Sequence, residues 1–285
     1  MNMEDEIYCG DAGELIKKVP SGTIDLVITS PPYAMKRDKD FGHEMTYDEY
    51  VEWLFSLSKE FMRVLKKRGS FILNIKEGVK NGKRETHVLE YLTRMAKEGY
   101  WSDTYVWVKT NPFPTGNKRR LKDGFEYCYH FTKDKKYRFN PSNCLIPANP
   151  KWLQDNLKRK NKGKHDVTNN SGLNMAIRTC SSMVRPSNVI TMATNTTNTK
   201  HPATFPIGLP QFFIRLLTNK GDLVLDPFIG SGTTAIACLE EERSFIGFEA
   251  KKEYAEMAQS RIDKHEEKKL ENIRLYEAGV FVEKQ

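Results

Sequence analysis

Short apolar runs alternate along the chain with stretches in which apolar residues recur every three or four positions. The runs are rich in β-branched and aromatic residues, which is typical of buried strands. They are residues 23–29, 70–75, 100–108, 125–131, 222–226 and 245–249. The stretches between them have the spacing of one helix face. Strands that alternate with helices predict a doubly wound α/β fold with a mostly parallel central sheet.

Capping signals predict where two of the helices begin and end. Thr46 followed by Glu49 forms a capping box, and the helix that it opens is expected to end at Gly69. Thr86 predicts the start of a second helix, which is expected to end at Gly99. The apolar stripe predicted for this second helix is Leu89, Leu92 and Met95. Further helices are predicted at 209–217, from 232 onward and around 254–262.

Positive charge is concentrated in one part of the chain. Residues 109–200 contain 18 Lys and Arg against 5 Asp and Glu, a net +13, which leaves −5 for the rest of a chain whose formal charge is +8. From about residue 140 the sequence also becomes rich in Asn, Ser and Thr and loses its periodicity. Such a basic segment in an otherwise acidic chain indicates a polyanionic partner such as nucleic acid. A solvated basic surface is the alternative.

Cysteine, histidine and hydropathy patterns argue against several other classes. The five cysteines are scattered and form no Cys-x-x-Cys pair, and the six histidines show no metal-ligand spacing. Neither a disulfide framework nor a metal site is expected. The acidic first residues do not resemble a signal peptide, and no apolar run approaches the ~18 residues needed to span a bilayer. We therefore expect a cytoplasmic protein in a reducing compartment.

A glycine-rich stretch, DPFIGSGTT, occupies residues 226–234 directly after an apolar run. Gly230 and Gly232 would allow a tight turn and a close approach of the backbone to a ligand. Glu249 ends the next predicted strand, where a carboxylate can accept hydrogen bonds from both ribose hydroxyls of a nucleoside. The stretch lacks the lysine of a phosphate-binding loop, which disfavours ATP. It predicts a nucleoside cofactor without distinguishing a nicotinamide from S-adenosylmethionine.

A second loop, Ser30-Pro31-Pro32-Tyr33, follows the apolar run at 23–29. Two prolines fix the backbone and remove two N–H donors, while their carbonyls remain available as acceptors. The Ser30 hydroxyl and the Pro31 carbonyl would accept both protons of an exocyclic amine and orient it for attack on a methyl group. Tyr33 would stack on the base, which must be flipped out of a duplex. Since no cysteine follows a proline, the motif for methylation at carbon 5 of cytosine is absent.

The order of these two loops resembles that of the DNA amino-methyltransferases of the β arrangement. In that family the Pro-Pro-Tyr motif precedes the glycine motif, and a target-recognition region lies between them. The resemblance covers residues 7–265, with the basic segment itself unmatched. Other similar pieces are residues 10–12, 107–112 and 201–206. The resemblance implies a Rossmann-like methyltransferase fold and S-adenosylmethionine as the methyl donor.

The resemblance also implies a division of the chain and a set of site residues. It predicts a catalytic half at 1–139, a small basic target-recognition insert at 140–200, a cofactor-binding half at 201–270 and a C-terminal tail at 271–285. The implied catalytic residues are Ser30, Pro31, Pro32 and Tyr33. The implied cofactor-binding residues are Asp11, Phe205, Asp226, Phe228, Gly230, Gly232, Thr233 and Glu249. The expected DNA-binding residues are Lys36, Arg37, Lys118, Arg119, Arg120, Lys158, Arg159, Lys160, Lys162, Lys164, Arg178 and Arg185.

The first residue of the catalytic motif is the basis for predicting which DNA base is methylated. In the resembled family, serine there usually accompanies transfer to N4 of cytosine, and aspartate usually accompanies transfer to N6 of adenine. Ser30 therefore predicts a site-specific cytosine-N4 DNA methyltransferase. Adenine-N6 transfer, a non-catalytic DNA-binding protein with the same fold, and an RNA or protein methyltransferase stay open as alternatives. Double-stranded DNA is the expected partner, a restriction endonuclease is a candidate functional partner, and the oligomeric state is left open.

Overall fold

The computed structural model describes residues 3–33, 45–113, 119–149, 182–194 and 205–277. The strands of the main sheet are β1 (Glu6–Cys9), β2 (Ile24–Thr29), β3 (Leu65–Ile75), β6 (Trp101–Lys109), β7 (Phe125–Thr132), β10 (Val189–Met192), β11 (Leu223–Asp226) and β12 (Ser244–Glu249). Two short hairpins pair β4 (Val79–Lys80) with β5 (Lys83–Arg84) and β8 (Ile146–Pro147) with β9 (Met183–Val184). The helices are α1 (Ala12–Leu15), α2 (Tyr47–Val64), α3 (His87–Lys97), α4 (Gly208–Leu217), α5 (Thr233–Glu240) and α6 (Lys252–Glu277).

The main sheet has the strand order β1-β12-β11-β2-β3-β7-β6-β10. Only β7 runs antiparallel to its neighbours within it. One face packs against α2 and α3, and its core includes Phe61, Phe71 and Phe131. The opposite face packs against α4, α5 and α6 around Phe213 and Ile262. Burying a side chain of this size stabilises the fold by roughly 1.5–3 kcal/mol. The predicted doubly wound, mostly parallel α/β fold is confirmed.

The capping box predicted at the start of α2 is present, because the Thr46 hydroxyl accepts from the Glu49 N–H and the Glu49 carboxylate accepts from the Thr46 N–H. The predicted end at Gly69 is wrong, since α2 ends at Val64 and the chain continues at once as β3. Leu65 pairs with Ile24 across the sheet. Strand pairing here overrides a helical pattern that continues for several more residues.

The second predicted helix begins where Thr86 indicated, and Leu92 and Met95 of its predicted stripe pack inward as expected, whereas Leu89 does not. Leu89 is 54% exposed, and the residues that pack inward are Val88, Tyr91, Leu92 and Met95. The edge strand β1 and the β4–β5 hairpin were not predicted. β1 joins the sheet beside β12, with Cys9 in register with Glu249.

Parts of the predicted insert belong to the main fold. β10 pairs in parallel with β6 as the outermost strand of the sheet. At the other end of the insert, the Asn140 N–H donates to the Leu216 carbonyl of α4 (2.7 Å). Residues 150–181 lie outside the described residues, so the insert remains a prediction there. The predicted boundary between 270 and 271 falls within α6.

β2 and β11 are neighbours at the centre of the sheet, with Val27 in register with Leu225. The chain leaves β2 toward α2 on one face and leaves β11 toward α5 on the other. In an open parallel sheet, strands whose connections diverge in this way leave a crevice outside their carboxyl ends. The two predicted motifs follow these two strands and therefore flank one crevice.

A buried carboxylate joins the ends of β2 and β11. Asp226 accepts hydrogen bonds from the hydroxyls of Thr29 and Thr234 (both 2.6 Å) and from the Phe228 N–H (3.1 Å). Burial raises the pKa of Asp226 to about 6, and the three hydrogen bonds oppose that shift. The folded-state pKa thus lies above the ordinary 3.8. Its contribution to stability is therefore full below about pH 4 and is lost as the pH rises through 6.

Thr29→Val should destabilise the protein more at pH 8 than at pH 5. The substitution removes a donor to a charged acceptor, which is worth about 1.5–3 kcal/mol, whereas the neutral acid at low pH accepts a bond worth about 0.5–1.5 kcal/mol. Urea denaturation at both pH values measures the difference. Thr23→Val is the control, because its hydroxyl donates to the Pro20 carbonyl at the surface. Equal losses at pH 5 and pH 8 would contradict the role given to the ionised Asp226.

Candidate active site

The structure brings the Pro-Pro-Tyr loop and the glycine loop together. Ser30 follows Thr29 directly, and the Thr29 hydroxyl is bonded to Asp226, from which the glycine loop begins. Pro31 is buried, whereas Ser30 and Tyr33 are partly buried. The site therefore combines a rigid acceptor loop with a cofactor-type loop at adjacent strand ends.

Hydrogen bonds fix the Pro-Pro-Tyr loop from two sides. The side chains of Ser30 and Tyr33 are hydrogen-bonded to each other. The Tyr50 hydroxyl donates to the Pro32 carbonyl (2.8 Å). Among the described residues no donor reaches the Pro31 carbonyl, which remains available to a substrate. Burial raises the pKa of Tyr33 well above 10, so Tyr33 is a neutral phenol at physiological pH.

Helix α2 links the two loops through aromatic contacts. The ring of Tyr50 lies 5.4 Å from that of Trp53, which lies 5.7 Å from that of Phe228. Tyr50 and Trp53 were not predicted as site residues. The hydroxyl of Tyr50 is the signal that could have identified it, because a buried tyrosine O–H nearly always has a hydrogen-bond partner.

The glycine loop has the backbone that its sequence predicted. Gly230 and Gly232 have positive φ angles of 53° and 82°. A Cβ at Gly232 would lie 3.0 Å from the Cβ of Ala258, so only glycine lets α6 approach the start of α5. Arg261 of α6 donates to the hydroxyl (2.9 Å) and to the carbonyl of Ser231. This arginine was not predicted from the sequence.

Glu249 lies where the spacing predicted and also organises the loop. Its Oε2 accepts from the Gly230 N–H (3.1 Å) and its Oε1 from the Lys251 N–H (2.9 Å). Burial raises its pKa, and the backbone hydrogen bonds oppose that rise. Each carboxylate oxygen has a second lone pair, so Glu249 can hold the loop and still accept from ribose hydroxyls.

The remaining predicted cofactor residues occupy three different settings. The Asp11 carboxylate caps α1 by accepting from the Glu14 N–H (3.1 Å). Asp11 lies two residues after Cys9, which is the strand partner of Glu249. Phe205 packs against the core on the α4 and α5 side of the sheet. The Thr233 hydroxyl is buried and has no hydrogen-bond partner in the described part of the chain. This donor, the Glu249 acceptor and the glycine backbone fit a polar nucleoside cofactor.

Three of the predicted DNA-binding residues are described. Arg119 and Arg120 lie in the loop between β6 and β7. Both ends of this loop are at the carboxyl edge of the sheet. Arg185 lies before β10, whose amino end is at the opposite edge of the sheet. The others lie outside the described residues, namely Lys36, Arg37, Lys118, Lys158, Arg159, Lys160, Lys162, Lys164 and Arg178. In the described ranges, no group of His, Cys, Asp and Glu has a metal-binding arrangement, and no helix could span a membrane.

A glycine loop and a Pro-Pro-Tyr loop over the crevice of such a sheet define a Rossmann-like methyltransferase. A family profile described as DNA methylase matches residues 24–260, which is most of the chain. The chain therefore belongs to the DNA methylase family, and the predicted family, fold and enzyme class are confirmed. The methyl donor predicted from the resemblance, S-adenosylmethionine, is that of the family.

Individual relatives and structures show the extent of the similarity. The type II methyltransferase M.PvuII of Proteus hauseri is 32% identical over 271 residues, covering 87% of this chain and 80% of the relative. The solved structure of the PvuII DNA methyltransferase (cytosine-N4-specific) has a TM-score of 0.69 at 29% identity, covering 89% of this chain and 84% of that one. The M1.HpyAVI–SAM complex has a TM-score of 0.58 at 25% identity, covering 90% and 98%.

Tyr50→Phe should lower turnover without weakening cofactor binding. The variant removes only the hydroxyl that holds the Pro32 carbonyl, so the loop is less well placed for the reaction. We expect a roughly 10–100-fold fall in kcat with KM for the cofactor within about twofold of the wild type. Tyr91→Phe is the matched control, because that buried tyrosine is hydrogen-bonded to Ser58 (2.7 Å) on α2. Equal kcat losses in both variants would reduce Tyr50 to a structural role.

Glu249→Ala should weaken cofactor binding by about 1.5–3 kcal/mol, because the ribose hydroxyls of the cofactor lose a charged hydrogen-bond acceptor. Calorimetric titration with S-adenosylmethionine measures this change. In the wild type, affinity should fall as the pH is lowered, beginning at a higher pH than for an ordinary glutamate, because burial raises the pKa of Glu249. Glu253→Ala, an exposed site on the first turn of α6, is the control. Unchanged affinity in Glu249→Ala would remove Glu249 from the cofactor site.

Proposed function

We propose that this DNA methylase transfers a methyl group to the exocyclic N4 amine of cytosine at specific sites in duplex DNA. The single observation that carries the proposal is the Thr29–Asp226 hydrogen bond of 2.6 Å, which holds the Ser30 loop next to the glycine loop. A base amine held by one loop then lies beside a cofactor held by the other. The cytosine-N4 specificity of the PvuII enzyme supports the choice of base.

The loop residues would orient the amine rather than act as acids or bases. A Ser30 hydroxyl that donates to Tyr33 keeps its lone pairs free to accept one N–H of the amine. The Pro31 carbonyl would accept the other N–H, which favours a more tetrahedral and nucleophilic nitrogen. A serine hydroxyl is not a base near neutral pH, and Tyr33 is held neutral by burial. The rate enhancement would come from the position and orientation of the amine relative to the methyl group.

The bound cofactor supplies an electrophilic methyl group on a positively charged sulfur. For this chain, Glu249 and the glycine backbone would hold the nucleoside, and the Thr233 hydroxyl would complete the polar contacts. The target base has to leave the helix to reach a loop at the sheet edge, which costs a few kcal/mol of unstacking. Stacking on Tyr33, worth about 1–3 kcal/mol, would offset part of that cost.

Ser30 is a neutral acceptor, and this distinguishes the cytosine proposal from adenine-N6 transfer by the same fold. The proposal also includes double-stranded DNA as the partner and a cytoplasmic location, where that DNA is accessible. The type II relative supports a cognate restriction endonuclease as functional partner. Sequencing of methylated DNA from cells that express the chain would identify the base and the recognition site together.

Ser30→Ala should lower the methyl-transfer rate by roughly one to two decades, the scale of a neutral hydrogen bond strengthened in a dry site. Cofactor affinity should barely change, and the product should remain N4-methylcytosine. Single-turnover kinetics on duplex DNA with mass analysis of the nucleosides measures rate and product. Ser56→Ala, on the exposed side of α2, is the control. A product that is only N6-methyladenine would refute the base assignment, and an unchanged rate would refute the role of the hydroxyl.

A further inference from the structure

Two lysines of the β4–β5 hairpin lower the stability of the hairpin itself. Its tip is Asn81 and Gly82, both with positive φ, which gives a tight two-residue turn. Lys80 lies directly opposite Lys83 across the two short strands, and both are exposed. Like charges directly opposite in an antiparallel pair are destabilising. An anionic partner would turn this repulsion into a favourable interaction.

The hairpin is fixed at the edge of the sheet that carries the active site. It follows β3, whose carboxyl end is Ile75, and the Glu85 N–H closes its base by donating to the Gly78 carbonyl (3.1 Å). A Cβ at Gly78 would lie 3.2 Å from the Tyr47 hydroxyl and 3.5 Å from the His87 ring. Tyr47 opens α2 one turn before the tyrosine that holds the catalytic loop. The hairpin and that loop are therefore anchored on the same helix.

Asp123 connects the hairpin to the loop at 119–124. Its carboxylate accepts from Arg84 of the hairpin (3.1 Å), from Arg120 of the loop (3.1 Å) and from Lys76 (3.4 Å). Burial opposes the effect, but these three cations hold the pKa of Asp123 below its ordinary value. One carboxylate thus brings three cations together.

The cations on this edge outnumber the carboxylates that face them. Glu77 pairs with the hairpin arginine (3.4 Å), and Glu126 lies within reach of two lysines (2.6 and 3.8 Å). Lys80, Lys83 and Lys122 are exposed and form no ion pair with any residue in the described ranges. The Lys80 ammonium lies 6.0 Å from the centroid of the Tyr47 ring. The outer rim of this edge is therefore positively charged, and it lies above a layer of paired cations and carboxylates.

We propose that the hairpin at 79–84 and the loop at 119–124 form a clamp on the phosphates of duplex DNA beside the flipped base. This inference rests on the proposed function, because it takes DNA as the substrate. Lysines bind phosphate as point charges, and contacts to phosphate carry no sequence information. The clamp therefore positions the duplex over the catalytic loop and adds affinity for any sequence.

The Lys80→Ala/Lys83→Ala double variant tests the clamp through the salt dependence of DNA binding. Two lost phosphate contacts should make the slope of log affinity against log salt shallower by about 1.8. The ratio of affinities at 50 and 200 mM salt should then shrink about 12-fold. The effect should be equal on a duplex that carries the recognition site and on one that lacks it. Calorimetric affinity for S-adenosylmethionine should not change.

Two further variants separate the clamp from a general loss of charge. Lys135→Ala/Lys136→Ala removes two exposed lysines from the turn after β7, at the opposite edge, and should keep the wild-type slope. Lys80→Arg/Lys83→Arg keeps the charge and should also keep that slope. Equal slopes for the hairpin and control alanine variants would overturn the clamp and leave the proposed function intact. A wild-type protein that binds no duplex DNA would overturn both.

Discussion

The buried carboxylate of Asp226 is the constraint on which the site depends. A carboxylate with 2% exposure must be hydrogen-bonded or neutralised, because desolvation of a lone charge is very unfavourable. Its donors come from the end of β2, from the glycine loop and from α5, so satisfying one side chain fixes three elements relative to each other. Thr29 is the donor that connects the end of β2 to the start of the glycine loop. Desolvation still outweighs the three bonds, which explains why the pKa of Asp226 is raised rather than lowered.

Helix α2 gives the second connection between the loops, and it acts on the opposite side of the crevice. Its first turns hold Pro32 through Tyr50 and contact Phe228 through Trp53. The capping box at Thr46 fixes where this helix starts and therefore where both aromatic residues lie. The loop that carries the Pro31 carbonyl is thus positioned by a residue of regular secondary structure, which is more rigid than a free loop.

The sequence was sufficient for features that depend on local patterns. Apolar runs, the glycine positions and the distance from Gly230 to Glu249 predicted the sheet, the tight glycine turn and the acidic residue beside it. Contacts between residues distant in sequence were not predictable in the same way. The Thr29–Asp226 bond joins positions 197 apart, and the pairing of Leu65 with β2 ends a helix that the local pattern would continue. Side-chain roles that depend on such contacts were therefore missed.

Some missed elements did have a local signal. The dipeptide at 81–82 is Asn-Gly, the strongest short-range indicator of a tight hairpin, and it lies between residues that can pair. Its flanking residues are charged and give no apolar alternation, so the local pattern did not predict strands there. β1 had no such local signal, since a strand of four residues is too short for an alternation of apolar and polar positions to predict it. It forms because the neighbouring β12 offers an open edge to pair with.

In the proposed cofactor site, the acidic groups at the crevice would also link cofactor binding to protonation. Burial raises the pKa of both Asp226 and Glu249, and the charge of Glu249 adds to the shift at Asp226. A cation bound between these strand ends would lower both pKa values, because an opposite charge favours the ionised form. By linkage, a cationic cofactor then binds more tightly as the pH rises through the range where these carboxyls ionise. The carboxylates that order the loops in the free protein thereby also favour a positively charged ligand over a neutral one.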